Sequence, residues 1–292
     1  MAGNAAVIAV CGHEAAYGRA LEGRLGPDVD IVPNGRALFR AAAARLRRGE
    51  RVVVVPMTLG REPGLVADTA RTLRAVPDAG RGAVLLAEPF GTAQHLVAWL
   101  RAAAGRVPAD SAILLAAPSG DPFEDAELHR VAALVRRYGR HELVEVAFDG
   151  SDPGPAGGVR RCALLGAERV ALLPASFAAV GPGGAGPVPV ADAGPLVPDP
   201  ALRRVLDERV ADAHRRWDEH GDDGITTGLA AADHHGHAHT HPPGEGHGHS
   251  HGHDHDHGSA HGHPHEHGPG TGHRHHHHPS AAGADLGIRS IA

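Results

Sequence analysis

The sequence predicts an α/β fold in which parallel sheets carry helices on both faces, and the pattern occurs twice along the chain. Short apolar runs alternate with segments of helical spacing. Several of these runs are apolar at every position, which is typical of strands buried on both faces of a parallel sheet. The run at residues 112–118 repeats the run at residues 7–13, and later elements follow in the same order.

The first half contains four predicted strands and four predicted helices. The strands are residues 7–11, 29–32, 51–55 and 83–87. The helices are residues 15–25, 36–48, 64–76 and 95–104. Gly49 follows the second helix at the position where glycine commonly ends one. This strand and helix alternation favours a parallel sheet with helices on both of its faces.

The second half repeats this order. Residues 112–118 correspond to the first strand, residues 169–174 correspond to the third, and residues 202–220 form a last predicted helix. The predicted halves are therefore residues 1–108 and 109–220. His13 directly follows the first strand, and its counterpart in the second half is Pro118. We therefore expect the first half to carry the active site and the second half to be degenerate.

The composition changes after residue 220, and we predict a disordered tail over residues 221–292. Residues 234–278 contain 20 of the 26 histidines. Neutral imidazole binds cobalt, nickel, copper and zinc, so Ni²⁺ or Zn²⁺ can also bind there. The predicted tail ligands are His234, His235, His237, His239, His247, His249, His251, His253, His255, His257, His261, His263, His265, His267, His275, His276, His277 and His278.

Composition also excludes several classes of function. The net charge of −6 comes entirely from residues 221–292, so the rest of the chain offers no basic surface for nucleic acid. The two cysteines lie in apolar segments and form no Cys-x-x-Cys pair, which excludes an iron–sulfur cluster. No basic leader and no apolar run of membrane-spanning length is present, and we expect a cytoplasmic protein without a membrane partner.

Polar side chains follow two strands of the first half. His13 and Glu14 come directly after the first strand, and Thr58, Arg61 and Glu62 follow the third. Ligands of parallel sheets bind beyond the carboxyl ends of the strands, where these side chains lie. An imidazole beside a carboxylate can hold a divalent ion and accept protons. The alternative is that the histidine only caps a neighbouring backbone group.

These motifs resemble those of the CbiX-type sirohydrochlorin chelatases of the class II chelatase group. The similar segments lie within residues 7–217 and comprise Gly12-His13, residues 52–68, residues 88–91 and residues 144–148. The resemblance implies two flavodoxin-like halves that face each other across a tetrapyrrole cleft. It also implies insertion of cobalt or ferrous iron into sirohydrochlorin, for cobalamin or siroheme biosynthesis.

The resemblance makes His13 a catalytic and metal-binding residue. The second metal-binding histidine of the family falls on Gly64, and Glu62 is the predicted substitute, as both metal ligand and catalytic residue. Glu14 is a further predicted catalytic residue. The metal ion, Co²⁺ or Fe²⁺, is a substrate, and a metallochaperone is a further candidate partner. The alternative is a degenerate member that binds, stores or delivers metal without catalysis.

Substrate binding is predicted for three polar residues. Sirohydrochlorin carries carboxylates at its rim, and arginine pairs with carboxylates through two parallel hydrogen bonds. Arg61 lies within the second loop, and Thr58 and Arg19 complete the predicted set. No Gly-rich phosphate loop follows a strand, which argues against a nucleotide-binding protein, the third alternative.

Overall fold

The computed structural model describes residues 5–77, 80, 82–151, 154–184 and 186–231, which form two parallel four-stranded sheets. The first sheet contains β1 (Ala6–Cys11), β2 (Val29–Pro33), β3 (Val52–Met57) and β4 (Val84–Leu86), in the order β2-β1-β3-β4. The second contains β5 (Ala112–Pro118), β6 (Val144–Asp149), β7 (Val170–Pro174) and β8 (Val190–Asp192), in the order β6-β5-β7-β8. Both orders are those of flavodoxin-like sheets. The prediction of an α/β fold with parallel sheets is confirmed.

Helices connect the strands and cover both sheets. They are α1 (Arg36–Arg47), α2 (Pro63–Arg74), α3 (Ala93–Ala104), α4 (Pro122–Arg137), α5 (Pro155–Leu164), α6 (Asp199–His220) and α7 (Ile225–Ala230). Local sequence explains several of their ends. α4 begins with a capping box between Asp121 and Glu124, and α6 ends at Gly221, whose φ of 62° suits glycine. Within the described ranges, no helix has both the length and the hydropathy needed to cross a lipid bilayer.

The segment after β1 differs from the prediction. A regular helix was predicted over residues 15–25, but His13–Leu21 forms a 3₁₀ segment with an interrupted backbone. Ala16 and Tyr17 have φ values of 48° and 56°, in the left-handed region that costs non-glycine residues about 1–3 kcal/mol each. The backbone N–H groups of the first two residues of this segment donate to the side chain of Glu62.

The last helix of each half packs on the sheet of the other half. α3 contacts β7 and α4 of the second half, and α6 contacts β3 and β4 of the first. Leu202 and Leu206 of α6 are fully buried in a core that both sheets share, which contributes about 1.5–3 kcal/mol for each side chain. The two halves are thus interlocked, and the described residues belong to one compact unit.

The predicted start of the tail at residue 221 also differs from the structure. Residues 221–231 continue into α7, whose Ile225 and Leu229 pack against the outer core of the first sheet. The backbone N–H of Leu86 in β4 donates a hydrogen bond to the carbonyl of Asp223. The His-rich residues from 234 onward, and with them every predicted tail ligand, lie outside the described residues.

Candidate functional site

His13 and Glu62 meet at the carboxyl edge of the first sheet. β1 and β3 pair in parallel with Cys11 opposite Met57, so the residues that follow the two strands are neighbours. Glu62 Oε1 lies 2.7 Å from His13 Nδ1 and accepts the backbone N–H of His13 at 2.6 Å. Gly12 permits this approach, because a Cβ there would lie 2.0 Å from Glu62 Oε1.

The carboxylate determines which nitrogen of His13 is available for chemistry. A carboxylate can only accept, so Nδ1 donates its proton to Glu62, and Nε2 is the nitrogen left to bind a metal or take a proton. Nε2 is buried and has no hydrogen-bond partner. Burial by itself lowers the pKa of His13, but the hydrogen bond to Glu62 and the charges of Glu62 and Glu124 outweigh it, and the net shift is upward.

The carboxylate of Glu62 is engaged in hydrogen bonds within the protein and orients its neighbours. Its Oε2 accepts the backbone N–H of Glu14 at 3.0 Å, so both oxygens are engaged, and the residue is only 6 % exposed. The sequence predicted Glu62 as a metal ligand beside His13. The structure places it behind the imidazole, in the position of the carboxylates that orient metal-binding histidines in other proteins.

Glu14 is a second buried carboxyl group, and it lies beneath the loop after β3. Its Oε2 accepts hydrogen bonds from the hydroxyl of Thr58 and from the N–H of Leu59, the latter at 2.8 Å. Its Oε1 has no partner. Burial raises the pKa of Glu14 to about 7, with the charge of Arg61 acting in the opposite direction. Neither Glu14 nor His13 lines the cleft described below, and the carboxyl group of Glu14 faces the loop after β3.

This pKa predicts the effect of Glu14→Gln on stability. Because the pKa is higher in the folded chain, Glu14 contributes stability that is complete below pH 4.5 and is lost as the pH rises through about 7. A glutamine oxygen can accept both hydrogen bonds, and its amide has no charge to lose. We expect the variant to be more stable than the wild type at pH 8 by about 1–3 kcal/mol, and not at pH 4.5. Urea midpoints at the two pH values measure this, and equal pH dependence would contradict it.

The second half also contributes side chains and backbone groups around His13. Glu124 Oε2 lies 3.6 Å from His13 Nδ1, and burial raises the pKa of Glu124. The backbone N–H of Phe177 donates to the carbonyl of Glu14 at 3.0 Å. Glu124 was not among the site residues predicted from the sequence. The sequence feature that could have indicated Glu124 is the capping-box pattern that begins at Asp121, three residues after the end of the strand at Pro118.

Of the three residues predicted to bind substrate, Arg61 and Thr58 line the cleft described below, although both are almost completely buried. Arg61 has a side chain with no exposed area, and its Nη2 pairs with Asp125 Oδ1 at 3.2 Å across the two halves. In this arrangement the guanidinium is enclosed, and its Nη1 has no hydrogen-bond partner. Thr58 is 1 % exposed and orients Glu14. Arg19 is exposed and does not line the cleft.

A cleft of about 1110 Å³ lies beside this cluster. Its walls come from the loops after β3 and β4, from the start of α4, and from α6 and α7. Glu62 and Glu124 reach it, and Phe123 lies on the wall from α4 with 86 % of its surface exposed. Gly64 also lines the cleft, and a Cβ there would meet no atom within 4 Å. Most of the other lining residues are aliphatic, proline or glycine.

Charged residues surround the cleft in pairs. Arg216 lies 3.2 Å from Glu88 and 3.4 Å from Asp222, and Arg130 makes two hydrogen bonds to Glu127. Among the described residues, no group of three or more His, Cys, Asp or Glu side chains is arranged to hold a metal ion.

No protein-family model matches the chain, and no curated protein sequence is similar enough to count as a match.

Proposed function

We propose that this protein is a metal chelatase that inserts a divalent metal ion into a tetrapyrrole. The observation that carries the proposal is the imidazole of His13, held through Nδ1 by Glu62, which itself lines the cleft. Sirohydrochlorin is the macrocycle and Co²⁺ or Fe²⁺ the metal that the sequence resemblance implies. The two flavodoxin-like sheets, with a large cleft lined by residues of both halves, support the same class of function.

The chemistry of metal insertion fits this arrangement. Two pyrrole protons leave as the metal enters, so the site needs a basic atom and a ligand that releases the metal again. His13 Nε2 supplies either function, and Glu62 holds the ring in one orientation. The described residues offer no complete set of metal ligands, and open coordination positions would allow the macrocycle to displace the protein.

The walls of the cleft suit a flat ring. The exposed ring of Phe123 offers an aromatic face on which a macrocycle can stack. Gly64 leaves open space on the wall. We propose Arg130 and Arg216 as the cations for substrate carboxylates, since their side chains are 54 % and 20 % exposed and Arg61 is fully enclosed. These two arginines would exchange their present acidic partners for the substrate.

The His-rich tail is proposed to supply metal to the same protein. Its imidazoles bind several divalent ions, so the tail collects metal without choosing cobalt or iron. Ala231, the last described residue, lines the cleft, so the chain leaves the described unit beside the proposed site. A metallochaperone remains a candidate source of the metal. We expect the protein in the cytoplasm, where its two free cysteines, both buried, stay reduced.

Truncation at two positions tests the role of the tail. A chain that ends at Ala231 should keep its melting temperature and lose most of its bound metal. A chain that ends at His220 also loses α7, and with it the burial of Ile225 and Leu229. We expect its melting temperature to fall by roughly 5 °C or more. Calorimetry and metal analysis measure both effects, and unchanged metal content in the chain ending at Ala231 would show that the tail is not the store.

The proposed activity has a direct assay. Purified full-length protein is mixed with sirohydrochlorin and Co²⁺, Fe²⁺, Ni²⁺ or Zn²⁺ in turn, and the absorbance of the macrocycle is followed. A rate proportional to enzyme concentration supports the chelatase. The second candidate is a metal-storage or delivery protein without catalysis. The presence of Gly64 where the family has its second histidine favours this candidate. Metal binding without any acceleration over the spontaneous reaction would establish that second candidate.

A further inference from the structure

A loop of the second half encloses the free nitrogen of His13. The loop of residues 119–121 connects β5 to α4 and passes over the imidazole. A Cβ on Gly120 would lie 2.9 Å from His13 Nε2 and 2.3 Å from Glu124 Oε2. The backbone of Gly120 therefore packs directly against the imidazole edge. In this arrangement Nε2 is buried, and neither a metal ion nor a macrocycle can reach it.

One carboxylate holds this loop in place. Asp125 Oδ2 accepts the hydroxyl of Ser119 at 2.9 Å, and Oδ1 accepts the N–H of Gly120 at 2.9 Å. Asp125 Oδ1 also pairs with Arg61 Nη2 of the first half at 3.2 Å. Asp125 thus joins the 119–121 loop to the loop after β3. Arg61 further donates from Nε to the carbonyl of Glu124 at 3.4 Å, and its guanidinium lies 5.9 Å from the centre of the Phe148 ring.

The closed arrangement leaves polar atoms without partners. His13 Nε2, Arg61 Nη1 and Glu14 Oε1 are all buried and make no hydrogen bond. An unpaired buried donor or acceptor costs free energy that solvation or a ligand recovers. Movement of the 119–121 loop would expose His13 Nε2 to water or to a ligand, either of which can be its hydrogen-bond partner. Asp125 therefore stabilises the closed position of the loop, whereas the unpaired buried atoms destabilise it.

We propose that Asp125 is a positioning residue that keeps the 119–121 loop as a removable cover over His13 Nε2. Breaking the Arg61–Asp125 pair and lifting the loop opens the nitrogen to the cleft. The catalytic consequence rests on the proposed function, because the atom that is covered is the one that meets the metal. The cover itself is defined by geometry and can be tested without any chelatase assay.

The test measures how fast His13 reacts with diethyl pyrocarbonate in the full-length protein. Trypsin releases residues 1–19, which contain His13 alone, and residues 82–101, which contain the exposed His95 as internal reference. Modification is followed by mass spectrometry from pH 6 to 9, and the plateau rates are compared, since the reagent attacks the unprotonated ring. In the wild type we expect His13 to react at least roughly tenfold more slowly than His95.

Asp125→Ala should raise the plateau rate of His13 by about tenfold or more and leave His95 unchanged. Asp125→Asn keeps the size and one acceptor, and should show a smaller increase. Asp207→Ala is the matched control, because Asp207 pairs with Arg203 of the same helix, α6, and does not hold the 119–121 loop. Circular dichroism checks that each variant is folded, and the asparagine variant is used if the alanine variant is not. A wild-type His13 rate equal to that of His95, or no increase in the folded variants, would overturn the proposal.

A kinetic measurement separates a cover from a merely structural role. If the closed loop competes with metal binding, the apparent KM for the metal should fall by the same factor by which the His13 plateau rate rises. A residue needed only for stability would not link these two quantities. Absence of insertion by the wild type would refute the proposed function and leave the reactivity test valid. Equal reactivity of His13 and His95 would remove the cover and leave the proposed function standing.

Discussion

His13→Ala is expected to abolish metal insertion, with a loss of about 10²–10⁴-fold or more. The variant removes the only histidine of the cluster and with it Nε2, the atom proposed to meet the metal. The fold should survive, because Glu62 keeps the backbone N–H groups of residues 13 and 14 as partners. We expect a stability loss of about 1–3 kcal/mol from the missing charged hydrogen bond.

The measurement pairs initial insertion rates with urea midpoints and total bound metal. His129→Ala is the control, because His129 is exposed on α4 and contacts Phe148 outside the His13 cluster. The control should insert metal at the wild-type rate, and metal bound by the tail should be unchanged in both variants. Insertion by His13→Ala at the wild-type rate would move the chelatase site elsewhere and favour the storage function.

Glu62→Gln is expected to damage both activity and stability. Glu62 accepts three N–H groups, two from His13 and one from Glu14. Glutamine offers one acceptor oxygen, and its NH₂ group must face an N–H donor. The imidazole then loses its charged partner and its fixed orientation. We expect insertion to slow by about 10²-fold or more and stability to fall by about 2–4 kcal/mol.

Glu50→Gln provides the comparison for this variant. Glu50 Oε2 lies 3.0 Å from Arg45 Nη1, in a pair far from the site. Such partly exposed pairs contribute about 1 kcal/mol or less to stability. The two variants therefore remove the same charge from different environments. Urea unfolding and initial rates distinguish them. Equal small effects in both would mean that Glu62 neither orients His13 nor stabilises the segment after β1.

Patterns along the chain were sufficient to predict the parallel strands and the place of the site. Apolar runs such as residues 52–55 must be buried on both faces, so they predict parallel strands wherever they occur. Parallel pairing brings the carboxyl ends of β1 and β3 together, which is why the order of residues alone predicted that His13 and Glu62 lie close to each other. The composition of the tail likewise predicts an affinity for metal that does not depend on a fold.

The role of each of these residues depends on contacts between distant parts of the chain. Periodicity describes neighbours a few positions apart, whereas the contact of His13 with Glu124 joins residues of the two different halves. The same limit hid the exchange of α3 and α6 between the halves and the irregular backbone at Ala16 and Tyr17. The sequence predicted Arg61 as a cation for the substrate, but burial against Asp125 made it a link between the halves, because a buried guanidinium requires a charged partner.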